Sequence, residues 1–154
     1  MASMFTFDRV PAVPLPILII NGAKDQEVRI EGSMSRSPLV SRVQEAPYKS
    51  LKDVVAFWVD INKSSAYSGV VTKGTVATST YVATLNGVTT SFVEDSEGGH
   101  GGPGSRARRE GNAPIELFSG AERVWEFFKT SSGYRTVLGP QIPTSIPESG
   151  ARTP

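Results

Sequence analysis

An Asn-Gly pair between two alternating runs is the sequence feature that most constrains this fold. Residues 76–85 read Val-Ala-Thr-Ser-Thr-Tyr-Val-Ala-Thr-Leu, and residues 88–94 read Val-Thr-Thr-Ser-Phe-Val-Glu, with Asn86 and Gly87 between them. Both central residues tolerate the positive φ of a type I′ turn, whose twist matches that of the flanking strands. The segment therefore predicts an antiparallel β-hairpin.

One further strand and two helices complete the regular pattern. The run Ile17-Leu-Ile-Ile20 is continuous and apolar, which is typical of a central parallel strand covered on both faces. Capping-box spacing at Ser50 and Ser119 predicts helices over about 50–62 and 119–129. We expect their apolar faces to pack on a sheet, through Leu51, Val54, Val55, Trp58 and Ile61 in one and Ala121, Val124, Trp125 and Phe128 in the other.

These elements fit one domain with irregular ends. The 154 residues suffice for a single modest domain. Prolines hold residues 1–14 in an irregular, extended segment, and the alternation of strand, helix, hairpin and helix over 15–130 predicts an α/β fold. Residues 131–154 are rich in Gly and Pro without apolar periodicity, and we expect a disordered tail there.

The overall composition excludes several functional classes. Sixteen Lys and Arg against fifteen Asp and Glu leave no field that would attract nucleic acid. Cysteine is absent, which excludes disulfides, thiolate metal sites and cysteine nucleophiles. No apolar run approaches the roughly 20 residues that span a bilayer, and residues 1–14 lack the pattern of a signal peptide. We therefore expect neither a nucleic-acid nor a membrane partner.

Asp25 and His100 are the residues that suit catalysis. Each follows the end of a predicted strand, where open α/β sheets form their sites. A histidine base needs a carboxylate at Nδ1 and a free Nε2, which this pair would supply. The alternatives are a turn residue for Asp25 and a solvated surface residue for His100. No phosphate-binding motif and no ligand cluster accompany them, so we expect no cofactor and no metal.

Four segments, in order, resemble the polyhydroxybutyrate depolymerase-like esterases. Pro16–Asp25 is similar to P-x-L-x-x-H-G-x-x-D, and Asp53–Trp58 to a helix with V-x-F-W. Glu97–Gly104 resembles E-G-G-G-H-x-W-P-G, and Val124–Phe128 a closing helix with I-W-x-F-F. That family, with its feruloyl and acetylxylan esterases, implies the C-terminal portion of an α/β-hydrolase with a mostly parallel sheet.

The resemblance also implies roles for the two candidate residues. Asp25 matches the acid and His100 the base of a serine triad, in the hydrolase order of acid before histidine. It further implies an ester substrate, either a polyester or an esterified polysaccharide, and an extracellular location.

The sequence departs from that family in one decisive way. The nucleophile motif G-x-S-x-G does not occur, and Ser33, Ser35 and Ser105 stand in segments of the wrong pattern. Asn21 replaces the family's histidine, and Gly102 replaces its tryptophan. We therefore expect a C-terminal fragment that supplies Asp and His and is inactive without the serine-bearing half.

A different class of function competes with this one. A half-domain exposes a strand edge and apolar faces, so the chain could be a non-catalytic, partner-dependent protein that acts by association, including self-association through the sheet edge. A metal or phosphate binder using the glycine loop around His100 is a third alternative, which the missing ligand spacing disfavours.

Overall fold

The computed structural model describes residues 4, 6–85, 87–101 and 119–131. Within them, four strands form one sheet and three helices lie around it. In chain order the elements are β1 (Ile17–Gly22), α1 (Pro38–Ser41), α2 (Leu51–Ile61), β2 (Ala66–Lys73), β3 (Val76–Val82), β4 (Thr89–Asp95) and α3 (Gly120–Thr130).

The sheet is mixed, and the prediction of a mostly parallel α/β-hydrolase sheet is wrong. Its strand order is β1-β4-β3-β2. Only β1 and β4 are parallel, whereas β2–β3 and β3–β4 are antiparallel. The predicted central strand β1 therefore stands at an edge of the described sheet. Two antiparallel pairs arise because β2, β3 and β4 follow one another through short connections, which cannot join parallel neighbours.

Strand β2 was missing from the sequence prediction because its pattern is interrupted. Gly69 lies in the middle of the strand with a φ of 86°, and the register with β3 shifts between Tyr67 and Val70. Such a bulge breaks the alternation of faces on which strand recognition depends. Most of β2 is also exposed, so it lacks the apolar face of a core strand.

The β-hairpin prediction is confirmed in its pairing. Strand β3 pairs antiparallel with β4 from Val76 opposite Asp95 to Val82 opposite Thr89. On the turn side both strands are shorter than the alternating runs, because β3 ends at Val82 and β4 begins at Thr89. Between them the amide of Ala83 donates to the carbonyl of Val88 at 2.9 Å. Asn86 lies outside the described residues.

Helix α2 begins where the capping box at Ser50 predicts, and it ends within the predicted range of 50–62. The Ser50 hydroxyl accepts from the Asp53 amide at 3.2 Å. Leu51 and Val54 pack with Ile19 of β1 in a cluster on one face of the sheet. At the other end, the fully buried Asn62 side chain donates to the Leu15 carbonyl at 2.8 Å and to the Thr90 hydroxyl at 2.9 Å. These bonds tie the helix to the start of β1 and to β4.

Helix α3 has the predicted bounds, but its predicted buried face is exposed. Val124, Trp125 and Phe128 are 42, 67 and 42 % exposed, whereas Phe127 is buried. The helix approaches the sheet through Phe127 and through Arg123, which donates to the Thr78 hydroxyl at 3.3 Å. The two residues are four apart on one side of the helix, and this side differs from the apolar stripe. Residues 132–154, most of the predicted tail, lie outside the described part of the chain.

Candidate catalytic dyad at the end of the sheet

The parallel pair places two loops at the same rim of the sheet. Strand β1 ends at Gly22, which lies opposite Asp95, the last residue of β4. The acid loop, defined as residues 23–28, continues from β1, and the histidine loop, residues 96–101, continues from β4. Because the two strands run in the same direction, their carboxyl ends bring both loops together.

Asp25 is held by its own loop. Its Oδ1 accepts hydrogen bonds from the amides of Glu27 at 2.8 Å and Val28 at 2.9 Å. Its own amide donates to the Gly22 carbonyl at 3.1 Å. The carboxylate is thus the centre of a turn, as the structural alternative for an isolated Asp anticipated. The turn fixes the carboxylate and leaves its second oxygen available.

The structure brings His100 onto this carboxylate. His100 Nδ1 lies 3.1 Å from both Oδ1 and Oδ2 of Asp25. The Asp25 side chain has no exposed surface, whereas 39 % of the His100 side chain is exposed. An ionised carboxylate only accepts hydrogen bonds, so a neutral ring facing it carries its hydrogen on Nδ1 and keeps the lone pair of Nε2. Within the described ranges, Nε2 has no hydrogen-bond partner.

Gly22 makes this approach possible. A Cβ at this position would stand 2.2 Å from the carbonyl oxygen of Gly98 and 2.7 Å from that of Gly99. The end of β1 therefore runs directly against the backbone of the histidine loop. Gly22 is not among the residues singled out from the sequence, although its place in the segment Asn21–Asp25 next to the acid was a usable signal.

Asn21, the residue before the end of β1, holds the acid loop through a hydrogen bond of its side chain. It is 1 % exposed, and its Nδ2 donates to the Val28 carbonyl at 3.2 Å. Val28 in turn donates its amide to Asp25 Oδ1. A side chain at the position where the resembled family has histidine thus reaches the acid through one intervening residue. Its Oδ1 is buried without a hydrogen-bond partner among the described residues.

Further contacts join the two loops to each other. Lys24 of the acid loop forms an ion pair with Glu97 of the histidine loop, and both side chains are well exposed. The Lys24 amide donates to the Gly98 carbonyl at 2.9 Å. The buried carboxylate of Asp95 accepts from the Glu97 amide at 3.2 Å, repeating at β4 the turn that Asp25 makes after β1.

No serine in the described part of the chain is hydrogen-bonded to His100. The Ser35 hydroxyl donates to Glu27 at 2.7 Å, and that of Ser33 to the Met34 carbonyl at 3.0 Å. Ser105 and Gly102, also singled out from the sequence, lie outside the described residues.

The described acidic and histidine side chains form no group of three that could hold a metal ion. No described helix has the length and apolar character to cross a membrane.

Comparisons with family models, curated proteins and solved structures find no match to this chain. The esterase resemblance therefore rests on the four segments of the sequence itself. The mixed sheet does not support this resemblance, because the resemblance implies a mostly parallel sheet. What remains for a functional argument is the local geometry of Asp25 and His100.

Proposed function

We propose that Asp25 and His100 are the acid and base of a serine carboxylic-ester hydrolase whose nucleophile comes from outside these 154 residues. The observation that carries the proposal is the contact of His100 Nδ1, at 3.1 Å, with both oxygens of a fully buried carboxylate. A surface histidine in a glycine-rich loop needs no such partner. The arrangement orients the ring, fixes its tautomer and keeps Nδ1, not Nε2, on the carboxylate.

In the complete site, His100 moves one proton in each direction. Nε2 takes the hydroxyl proton of the serine while the serine oxygen bonds to the ester carbonyl carbon. The imidazolium that results is stabilised by Asp25, and it then gives its proton to the leaving alcohol as the ester C–O bond breaks. In the second half of the reaction Nε2 takes a proton from water while the water oxygen bonds to the acyl carbon. It then gives that proton to the serine oxygen as the acyl–serine bond breaks and the acid is released. The four-segment resemblance favours a polyester or an esterified polysaccharide as substrate, and with it an extracellular site of action.

The chain alone is expected to be inactive towards esters. It has no G-x-S-x-G motif, and the oxyanion hole of such enzymes is built partly from the residue after that serine. A base without its nucleophile and without oxyanion stabilisation lacks the parts that supply most of the rate enhancement.

Ester hydrolysis with and without a serine-bearing half tests the proposal. The chain is assayed on a p-nitrophenyl ester alone, and then mixed with a candidate half that carries G-x-S-x-G. We expect activity only in the mixture, and none when His100→Ala replaces the wild-type chain. Activity of the chain alone that His100→Ala abolishes would contradict the inactivity we expect. A bound partner without any activity would contradict the hydrolase proposal.

A second candidate function, association between copies of the chain, is favoured by the outer edge of β2. In the described sheet this strand has no neighbour on its far side, and Tyr67, Val70 and Val71 are 51, 56 and 69 % exposed. An exposed apolar edge is a template for strand pairing, although the bulge at Gly69 shortens it.

Sedimentation measures this association directly. We expect a concentration-dependent dimer, which Val70→Lys shifts towards monomer because a charge on the edge opposes pairing. A wild-type chain that is monodisperse, monomeric and cooperatively unfolding at every concentration would exclude this second function.

A further inference from the structure

The sheet face opposite α2 carries an open groove beside α3. The register places Val93 of β4, Thr78 of β3 and Val71 of β2 in one row across the sheet. Val76 precedes Thr78 by two residues on β3 and therefore lies on the same face. The groove has a volume of about 490 Å³ and is lined by Val71, Lys73, Val76, Thr78, Thr80, Val93 and Arg123. This volume falls within the range of roughly 300–1,000 Å³ that is typical of small-molecule sites.

Three valines give the floor of the groove its apolar part. Val76 and Val93 are buried and pack with Leu18 and Ile20 of β1, and Val71 extends the apolar strip to the exposed edge strand. Thr78 and Thr80 stand between these valines, so the apolar contacts for a hydrocarbon chain come from Val71 and from the bottom of the groove at Val76 and Val93. Burial of such a chain is the main source of affinity.

Two cations stand at the groove without a counter-charge. Lys73 and Arg123 line it together, and neither forms an ion pair within the described ranges. Arg123 is held against the sheet by its hydrogen bond to Thr78, which uses one of its five donors and leaves the others free.

Two carboxylates near the groove have other partners. Glu126, one helical turn after Arg123, pairs with Lys129 at 2.7 Å, and the buried Asp95 accepts the amide of Glu97. Among the residues that the structure describes, no Asp or Glu lines the groove. This described lining therefore carries a positive charge, and its complement is an anion.

We propose that this groove binds an aliphatic monocarboxylate of medium chain length. The alkyl chain lies along the valine strip, and the carboxylate accepts hydrogen bonds from Lys73 and Arg123. The site lies outside the Asp25–His100 pair and does not depend on the proposed hydrolase function. Its ligand class is the class of acid that hydrolysis of an aliphatic ester releases, so the groove would retain or sense such an acid.

Titration with sodium octanoate tests the site, with 1-octanol as the neutral probe of equal chain length. Backbone amide spectra of the full chain follow Val71, Thr78 and Val93. We expect saturable shifts with a Kd on the order of 1 mM for octanoate, as ligand-efficiency limits suggest for so small a molecule. For 1-octanol we expect binding roughly three- to tenfold weaker, because only the carboxylate engages the two cations.

Substitutions that remove the positive charges of the groove test where the carboxylate of octanoate binds. Lys73→Gln combined with Arg123→Gln is expected to weaken octanoate roughly three- to tenfold and to leave 1-octanol unchanged. Lys52→Gln with Arg36→Gln removes the same charge from exposed sites outside the groove, and it should change neither affinity. Asp25→Asn should also leave octanoate binding unchanged, which separates this site from the dyad.

Three results would overturn the proposal. They are an absence of octanoate shifts at the groove, equal affinities for octanoate and 1-octanol, and full octanoate affinity in the Lys73 and Arg123 variant. The comparison of the two probes needs no variant, so the test holds even if the double substitution fails to fold.

Discussion

Asp25→Asn is expected to move His100 away from the Nδ1–H tautomer while the fold persists. The introduced amide has the shape of the carboxylate, and its oxygen can still accept from the amides of Glu27 and Val28. Its NH₂ group then takes the place of Oδ2, which lies 3.1 Å from Nδ1. Two donors would face each other there, so the hydrogen of the ring is expected to shift to Nε2.

The chain offers an unusually direct measurement of this change. It contains a single histidine, so the nitrogen chemical shifts of one imidazole ring report the tautomer without assignment. Glu97→Gln is the matched control, because it neutralises a carboxylate in the histidine loop that pairs with Lys24 instead of the ring. We expect the control to keep the wild-type tautomer. If Asp25→Asn keeps it as well, Asp25 does not determine the state of His100.

The same substitution carries the largest expected effect on rate. In the mixture with a serine-bearing half, Asp25→Asn should lower ester hydrolysis about 10⁴-fold, because a ring protonated at Nε2 cannot accept the serine proton. Glu97→Gln should leave the rate within a few-fold of wild type. A rate loss without a tautomer change would mean that Asp25 acts only through the stability of its loop.

Local signals in the sequence predicted local structure well. The capping hydroxyls of Ser50 and Ser119 both accept from the residue three positions later, so the bounds of α2 and α3 were accessible without a structure. The Asn-Gly hairpin likewise predicted the pairing of β3 with β4. Each of these signals depends on hydrogen bonds or turn preferences within a few residues. Such local preferences do not require knowledge of the tertiary packing.

Features set by long-range packing were beyond the sequence. The edge position of β1 and the addition of β2 depend on how distant segments connect, and the bulge at Gly69 hid β2 from the alternation test. The face that α3 turns to the sheet was also mistaken, since apolar periodicity assumes that the stripe is covered, and Trp125 is 67 % exposed. The pairing of Asp25 with His100 was expected from loop position, although the sheet assumed for it was wrong.

Gly22→Ala is expected to destabilise the protein and to separate the dyad. Where space allows, this substitution stabilises a protein by about 0.4–1 kcal/mol through the unfolded chain. Here the new Cβ would lie 2.2 Å from the Gly98 carbonyl oxygen and 2.4 Å from its carbon, and both belong to backbone that cannot rotate away. The overpacking should lower the free energy of unfolding by about 3 kcal/mol. The histidine loop must move, and His100 would leave Asp25.

Urea unfolding and the His100 tautomer measure the two consequences together. Gly69→Ala is the matched control, because a Cβ at Gly69 has no atom within 4 Å and its only cost is the positive φ of 86°. That strain amounts to about 1 kcal/mol and lies in β2, so the control should keep the Nδ1–H tautomer. If Gly22→Ala were as stable as Gly69→Ala and kept the tautomer, the close packing of β1 on the histidine loop would not be what holds His100 on Asp25. If it loses both, a glycine without chemistry of its own determines whether the acid and the base can meet.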